Sequence, residues 1–82
     1  MNKEKTLSAL EAVLFASGEP ISTDRLSKVF EIEPNEIDEL LNELKKKYEK
    51  TKSGLTVLKL ENTYQLATVK EHAEYIKRAF DI

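Results

Sequence analysis

The sequence predicts a mainly α domain of the α+β class: three helices, a β-hairpin and a closing helix. Three observations carry this. Between Pro34 and Tyr48 the apolar residues are Ile37, Leu40, Leu41, Leu44 and Tyr48, the i, i+3, i+4, i+7, i+11 series of a helix with one wet side. Leu55–Leu60 and Tyr64–Val69 are rich in β-branched and large apolar residues and flank a polar turn at Asn62, which reads as a hairpin. The two glycines, Gly18 and Gly54, stand where one segment gives way to the next.

With 82 residues, the chain is expected to form one domain spanning 1–82, near the lower end of what a single core can hold. Charged residues make up 34% and hydrophobic residues 40%, a soluble, globular balance. The net charge of −2 exerts no global pull toward nucleic acid or an anionic membrane. Without cysteine there is no disulfide, zinc-thiolate site or thiol nucleophile, and a reducing cytoplasm is permitted. Residues 1–5 lead straight into an amphipathic helix containing Glu11, so no signal peptide is expected. No run approaches the roughly 20 apolar residues that span a bilayer.

The first helix is expected from about Lys3 to Ser17. Leu7, Leu10, Val13 and Leu14 form its core side, and Ala9, Ala12 and Ala16 an adjoining strip of small residues. Gly18 ends it as a left-handed cap and Pro20 prevents resumption. Phe15 lies among Glu4, Ser8 and Glu11 on the polar side. Either it folds over the helix end onto the hairpin, or it anchors a partner. The first reading is favoured, since single exposed apolar residues are common. The second helix starts at Ser22, an N-cap with Ile21 and Leu26 placed as a hydrophobic staple. Leu26, Val29 and Phe30 are its apolar face. Glu31–Glu33 then turns into the third helix, a helix-turn-helix pattern.

In the third helix, Pro34 suits the first turn. Glu33, Glu36, Asp38 and Glu39 sit at the positive end of its dipole, and Lys45, Lys46 and Lys47 at the negative end. A polar loop ending at Gly54 leads to the ribbon. A two-residue turn at Asn62-Thr63 groups Val57, Lys59, Tyr64 and Leu66 on one face and Leu58, Leu60, Ala67 and Val69 on the other, whereas a one-residue slip regroups them, and the sequence leaves the register open. Asn62 is the residue suited to a positive φ. The ribbon carries more apolar side chains than one face can bury, so both faces need cover. Thr68 and Glu71 form a capping box. The helix that follows has a stripe of Ala73, Ile76, Ala79 and Phe80 with Tyr75 beside it, and is placed to cover the second face. The abrupt stop at Asp81-Ile82 suggests a piece of something longer.

Helix, helix-turn-helix, ribbon, helix is the winged-helix layout. The stretch Glu11-Ala-Val-Leu-Phe-Ala-Ser-Gly-Glu-Pro-Ile21 resembles the opening motif of the ScpB family, the B subunit of the bacterial segregation and condensation complex. Leu44-Lys-Lys-Lys-Tyr48 and Tyr64-Gln-Leu-Ala-Thr68 look like the family's next two landmarks. The resemblance spans nearly all of this chain and the amino-terminal half of a typical member. Asn62-Thr63 stands where the family often has glycine, and Lys70 where it often has proline. The resemblance implies a non-enzymatic accessory subunit of the SMC complex. Members pair as homodimers through this winged-helix domain and bind the kleisin ScpA, and through it Smc, largely by a second winged-helix domain. It further implies chromosome condensation and partition in cell division, in the cytoplasm at the nucleoid, with no cofactor.

The residues themselves offer little for catalysis. His72 is the only histidine and falls in the first turn of a surface helix, where a solvated residue is the expected reading. One histidine without cysteine cannot make the usual metal set. The carboxylates at 36, 38, 39 and 43 read as a solvated helix face. A DNA-binding transcriptional regulator is the serious rival. Yet winged helices read bases with the start of the third helix, and here four carboxylates stand there against phosphates. Lys45, Lys46, Lys47, Lys50 and Lys52 lie at the far end, where complementing the helix terminus is favoured over a non-specific backbone contact. The wing tip Glu61-Asn62-Thr63 has no base for the minor groove. A dimerisation and scaffold domain is therefore expected, with Phe15, Leu58 and Leu60 as the candidate protein interface.

Overall fold

The stripe along α3 (Pro34–Lys50) is what the other elements pack on. In the computed structural model, which describes residues 2–80, Ile37, Leu40, Leu41, Leu44 and Tyr48 are all buried. Leu10 and Leu14 of α1 (Lys3–Ser17), Leu26 of α2 (Thr23–Phe30), Val57 of β2 (Leu55–Leu60) and Tyr64 of β3 (Thr63–Thr68) complete the core. Each fully buried Leu or Ile contributes roughly 1.5–3 kcal/mol relative to exposure. Leu7 and Val13 are only partly buried, at the core's margin.

The helix ends are built from local chemistry. Asn2 caps α1, its side chain accepting the Lys5 N–H at 2.8 Å, and Gly18 closes it at φ 67°. Ser22 caps α2 by accepting the Arg25 N–H at 3.0 Å. Glu31 takes the left-handed conformation, φ 56°, and its N–H donates to the Ser27 carbonyl. The Ile32 N–H donates to the same carbonyl at 3.1 Å, and Ser27 Oγ donates back to the Ile32 carbonyl. These bonds set the tight turn into α3. The third helix runs two residues beyond Tyr48.

Four expectations are corrected. Ile21-Ser22 forms a short strand, β1, pairing antiparallel with β3, so the sheet has three strands in the order β1-β3-β2. The hairpin turn is Glu61-Asn62, since Leu60 pairs with Thr63, and Glu61 rather than Asn62 carries the positive φ, 56°. Moving the turn back one residue shifts the pairing by two, so the same side chains share a face. Thr68 stays in the ladder opposite Leu55 and caps nothing. A 3-10 turn over Lys70–His72 precedes α4 (Ala73–Ala79), and neither has a side-chain cap. Finally, α4 has no buried residue and leaves the ribbon's outer face open. The capping signal was real as a pattern, but ladder pairing of Thr68 took precedence over local propensity.

Val29, expected in the core face of α2, is also exposed. On an eight-residue helix the contact with α3 is met by Leu26, with Phe30 at its edge. The expectation about Asp81-Ile82 lies outside the described residues.

Leu41→Ala is expected to lower stability by about 2–5 kcal/mol, read as a lower urea midpoint. Val29→Ala should stay within about 0.5 kcal/mol.

Candidate protein interface

Three side chains singled out in the sequence are all at the surface. Phe15 is 76% exposed, Leu58 43% and Leu60 63%. The favoured reading of Phe15, folded down onto the hairpin, is therefore corrected: its ring stands out from the end of α1. It borders a cleft with Gly18, Gln65, Leu66 and Ala67. Ala12 and Ala16, meant for close approach by another element, are exposed beside it.

Leu58 and Leu60 point from the same face of β2, away from the helices. Leu58 pairs with Gln65 and Leu60 with Thr63. Leu58 borders a second cleft with Ala67, Val69 and His72, so Ala67 is common to the clefts of Phe15 and Leu58. Leu60 lies beyond both, beside the turn. The structure thus brings Phe15 and Leu58 to neighbouring clefts and leaves Leu60 at the ribbon's tip. Two aromatic rings were not singled out. Tyr75 and Phe80, on and just after α4, are exposed. The signal was present in the sequence as the stripe Ala73, Ile76, Ala79 and Phe80 with Tyr75 beside it.

On the inner face the wing is fastened to α3. Tyr64 Oη donates to Asp38 Oδ1, and Lys59 Nζ lies 3.3 Å from the same oxygen and 5.4 Å from the Tyr64 ring centre. Asp38, expected on a solvated acidic face, is instead half-buried and committed to the wing. Tyr48 Oη likewise donates to Glu11 Oε2, joining α3 to α1. Burial, then the carboxylate hydrogen bond and its charge, push both phenols well above their ordinary value of 10.0. At the tip, the Asn62 carbonyl accepts the Thr23 N–H at 2.8 Å and Thr23 Oγ1 at 3.2 Å.

The leading edge of α3 presents Glu33, Glu36 and Glu39, all exposed. Lys45, Lys46, Lys47, Lys50 and Lys52 are exposed at the opposite end. Besides Asp38, Glu43 of this helix meets a lysine from another element, Lys3 at 2.8 Å. A groove-reading helix would thus approach phosphates with its acidic end. His72 is exposed at the surface, as expected, with Tyr75 nearby at 6.4 Å between ring centres. Among the described residues no group of three His, Cys, Asp or Glu side chains is placed to hold a metal ion. No described helix is long and apolar enough to cross a membrane.

Comparison with known proteins gives a consistent picture. The family model for segregation and condensation complex subunit ScpB matches residues 8–82. Segregation and condensation protein B of Clostridioides difficile is 40% identical over 83 residues, covering 99% of this chain and 46% of that protein. The Listeria monocytogenes protein of the same name is 42% identical over 84 residues, covering 100% of this chain and 42% of that one. The chain therefore spans less than half the length of these relatives. Among solved structures, a dimer of the ScpB N-terminal domain complexed with a ScpA peptide superimposes with a TM-score of 0.85 at 30% identity. That match covers 93% of this chain and 95% of that one. ScpB from Mycobacterium tuberculosis matches with a TM-score of 0.90 over 98% of this chain and 50% of that one. At 18% identity it speaks for the winged-helix fold alone.

A phenol held neutral in the fold but free to ionise once unfolded removes no stability below about pH 10 and progressively removes it above. Urea midpoints are expected to fall as pH rises past about 10, and Tyr64→Phe or Tyr48→Phe should flatten that fall while lowering stability at pH 7 by about 1 kcal/mol.

Proposed function

The chain belongs to the ScpB family of segregation and condensation complex subunits, and on that premise we propose that it is a non-enzymatic accessory subunit of a bacterial SMC condensin complex. In this reading, residues 1–82 are one winged-helix domain, the amino-terminal half of a longer two-domain protein. It pairs with a second copy and supports binding of the kleisin ScpA, and through it Smc, in chromosome condensation and segregation. The place of action is the cytoplasm, at the nucleoid.

The observation that carries the reading is the match, over nearly the whole of both chains, to a domain crystallised as a dimer with a ScpA peptide. The surface supports it. Phe15, Leu58 and Leu60 offer apolar area of the kind that protein interfaces bury around aromatic and aliphatic anchors. The acidic leading edge of α3 argues against sequence reading, because docking would bring carboxylates to phosphates. Since Asp38 is held by Tyr64 and Lys59, its carboxylate cannot swing clear of that edge without releasing the wing.

Sedimentation equilibrium at micromolar concentration should give a dimer. Leu60→Glu or Phe15→Glu is expected to weaken pairing about tenfold or more, in line with loss of an interface anchor, with the far-UV circular dichroism spectrum unchanged. Binding of a fluorescein-labelled ScpA peptide, measured by anisotropy, tests the kleisin half of the proposal. A strict monomer that ignores the peptide would refute it, as would tight DNA binding with a clear site preference.

A further inference from the structure

The lysines at the end of α3 exceed what that helix can use. A helix terminus carries roughly half an elementary charge, felt within the last turn, and Lys47 and Lys50 already occupy that turn. Lys45, Lys46 and Lys52 are surplus, and all five are exposed. The fold then adds to them. Lys52 and Lys70 line one cleft where the end of α3 meets the base of the ribbon, and Lys70 and Lys77 line the next groove along. Segments far apart in the sequence are thus gathered into one basic end. Residues 45–52 and 70–78 hold eight of the chain's 13 basic residues but only three of its 15 carboxylates, Glu49, Glu71 and Glu74. Glu74 is bonded to Arg78 at 3.0 Å, whereas no lysine of this end forms an ion pair among the described residues. Like charges gathered this closely repel one another in the free domain, and a polyanion relieves that repulsion.

We propose that this basic end binds the phosphate backbone of double-stranded DNA, without regard to base sequence and away from the start of α3. Charge complementarity names the occupant. Duplex DNA presents one negative charge per roughly 1.7 Å of its axis, a density that a track of spaced cations engages at several points at once. Lys46 and Lys50 lie four residues apart on the outer side of α3, with Cβ atoms about 5–6 Å from each other. The acidic start of the helix does not prevent the contact. Glu36 is about 21 Å from Lys50 along α3 at 1.5 Å per residue, more than two screening lengths of roughly 8–10 Å at physiological salt. The net charge of −2 therefore conceals two ends of opposite sign. Groove reading by the leading edge stays excluded, because the opposite end of the same helix makes the contact. The inference rests on the reading of the chain as a chromosome subunit only for the choice of DNA over another polyanion.

Anisotropy of a fluorescein-labelled DNA duplex, titrated with the chain at about 50 mM salt and upward, reads the site. Dissociation constants on the order of 10⁻⁶–10⁻⁴ M are expected, alike for A·T-rich and G·C-rich duplexes, with a log–log salt slope of about −4. Lys46→Gln combined with Lys50→Gln should weaken binding about tenfold or more and make the slope shallower by about 2. The far-UV circular dichroism spectrum should not change, since both side chains are exposed. Glu36→Gln, at the acidic end, should leave the slope as it is. No binding at about 50 mM salt, binding that the lysine pair does not alter, or a marked preference for one sequence overturns the proposal. Equal or tighter retention on vesicles of phosphatidylserine and phosphatidylcholine overturns it in favour of a membrane surface. Sedimentation and ScpA-peptide binding on the same protein separate the two readings. A dimer that takes the peptide but ignores DNA overturns the basic site alone. A monomer that ignores the peptide yet binds DNA through Lys46 and Lys50 overturns the subunit reading and bears out the site.

Discussion

Everything in this domain hangs on the narrow buried seam of α3. Ile37, Leu40, Leu41, Leu44 and Tyr48 are the floor against which α1, α2 and the ribbon all settle. Because they occupy only one stripe, most of the helix stays in water, and the core remains small. A core of this size cannot also hold the apolar groups of the ribbon's far side and the closing helix. The exposed Leu58, Leu60, Tyr75 and Phe80 follow from that limit rather than from loose packing. Domains of this length gain so little buried surface on folding that association is a natural source of further stability.

The same helix sets the electrical character of the molecule. Carboxylates at its start and lysines at its end complement its dipole, and the separation they create turns the most groove-shaped part of the fold negative. The shape of a nucleic-acid reader is retained without the charge that such a reader needs. That mismatch favours contact with proteins. It also explains why Asp38 does not behave as a free surface carboxylate. It sits one turn inside the acidic end and is used to fasten Tyr64 and Lys59 of the wing.

Much of this was legible in the sequence. Helix periodicity located α1 and α3, Gly18 and Pro34 marked their borders and Ser22 the start of α2, because caps and stripes are local chemistry. The split of the ribbon into two faces was also right, since alternation survives a two-residue change of pairing. What escaped depended on distant partners. β1 is two residues long, too short for any period, and exists because Tyr64 and Thr63 offer free backbone groups. Thr68 and Glu71 spell a helix start, yet Thr68 is already taken by Leu55. Val29 shows that a helical wheel ranks faces but cannot say which neighbour is long enough to cover them. The shared position of Phe15 and Leu58, beside Ala67, needed the fold itself, whereas the family resemblance in the Glu11–Ile21 stretch needed none of it.

The double hydrogen bond from Thr23 to the Asn62 carbonyl has a consequence beyond holding the turn. With Tyr64 fastened to Asp38 and the adjoining turn tied to the start of α2, the tip of the ribbon is pinned at two neighbouring points. A surface of that kind loses little freedom when it is covered. The entropy usually surrendered by ordering a flexible hairpin on contact was already surrendered when the chain folded. Association energy can then go into holding the pair together instead of into shaping it.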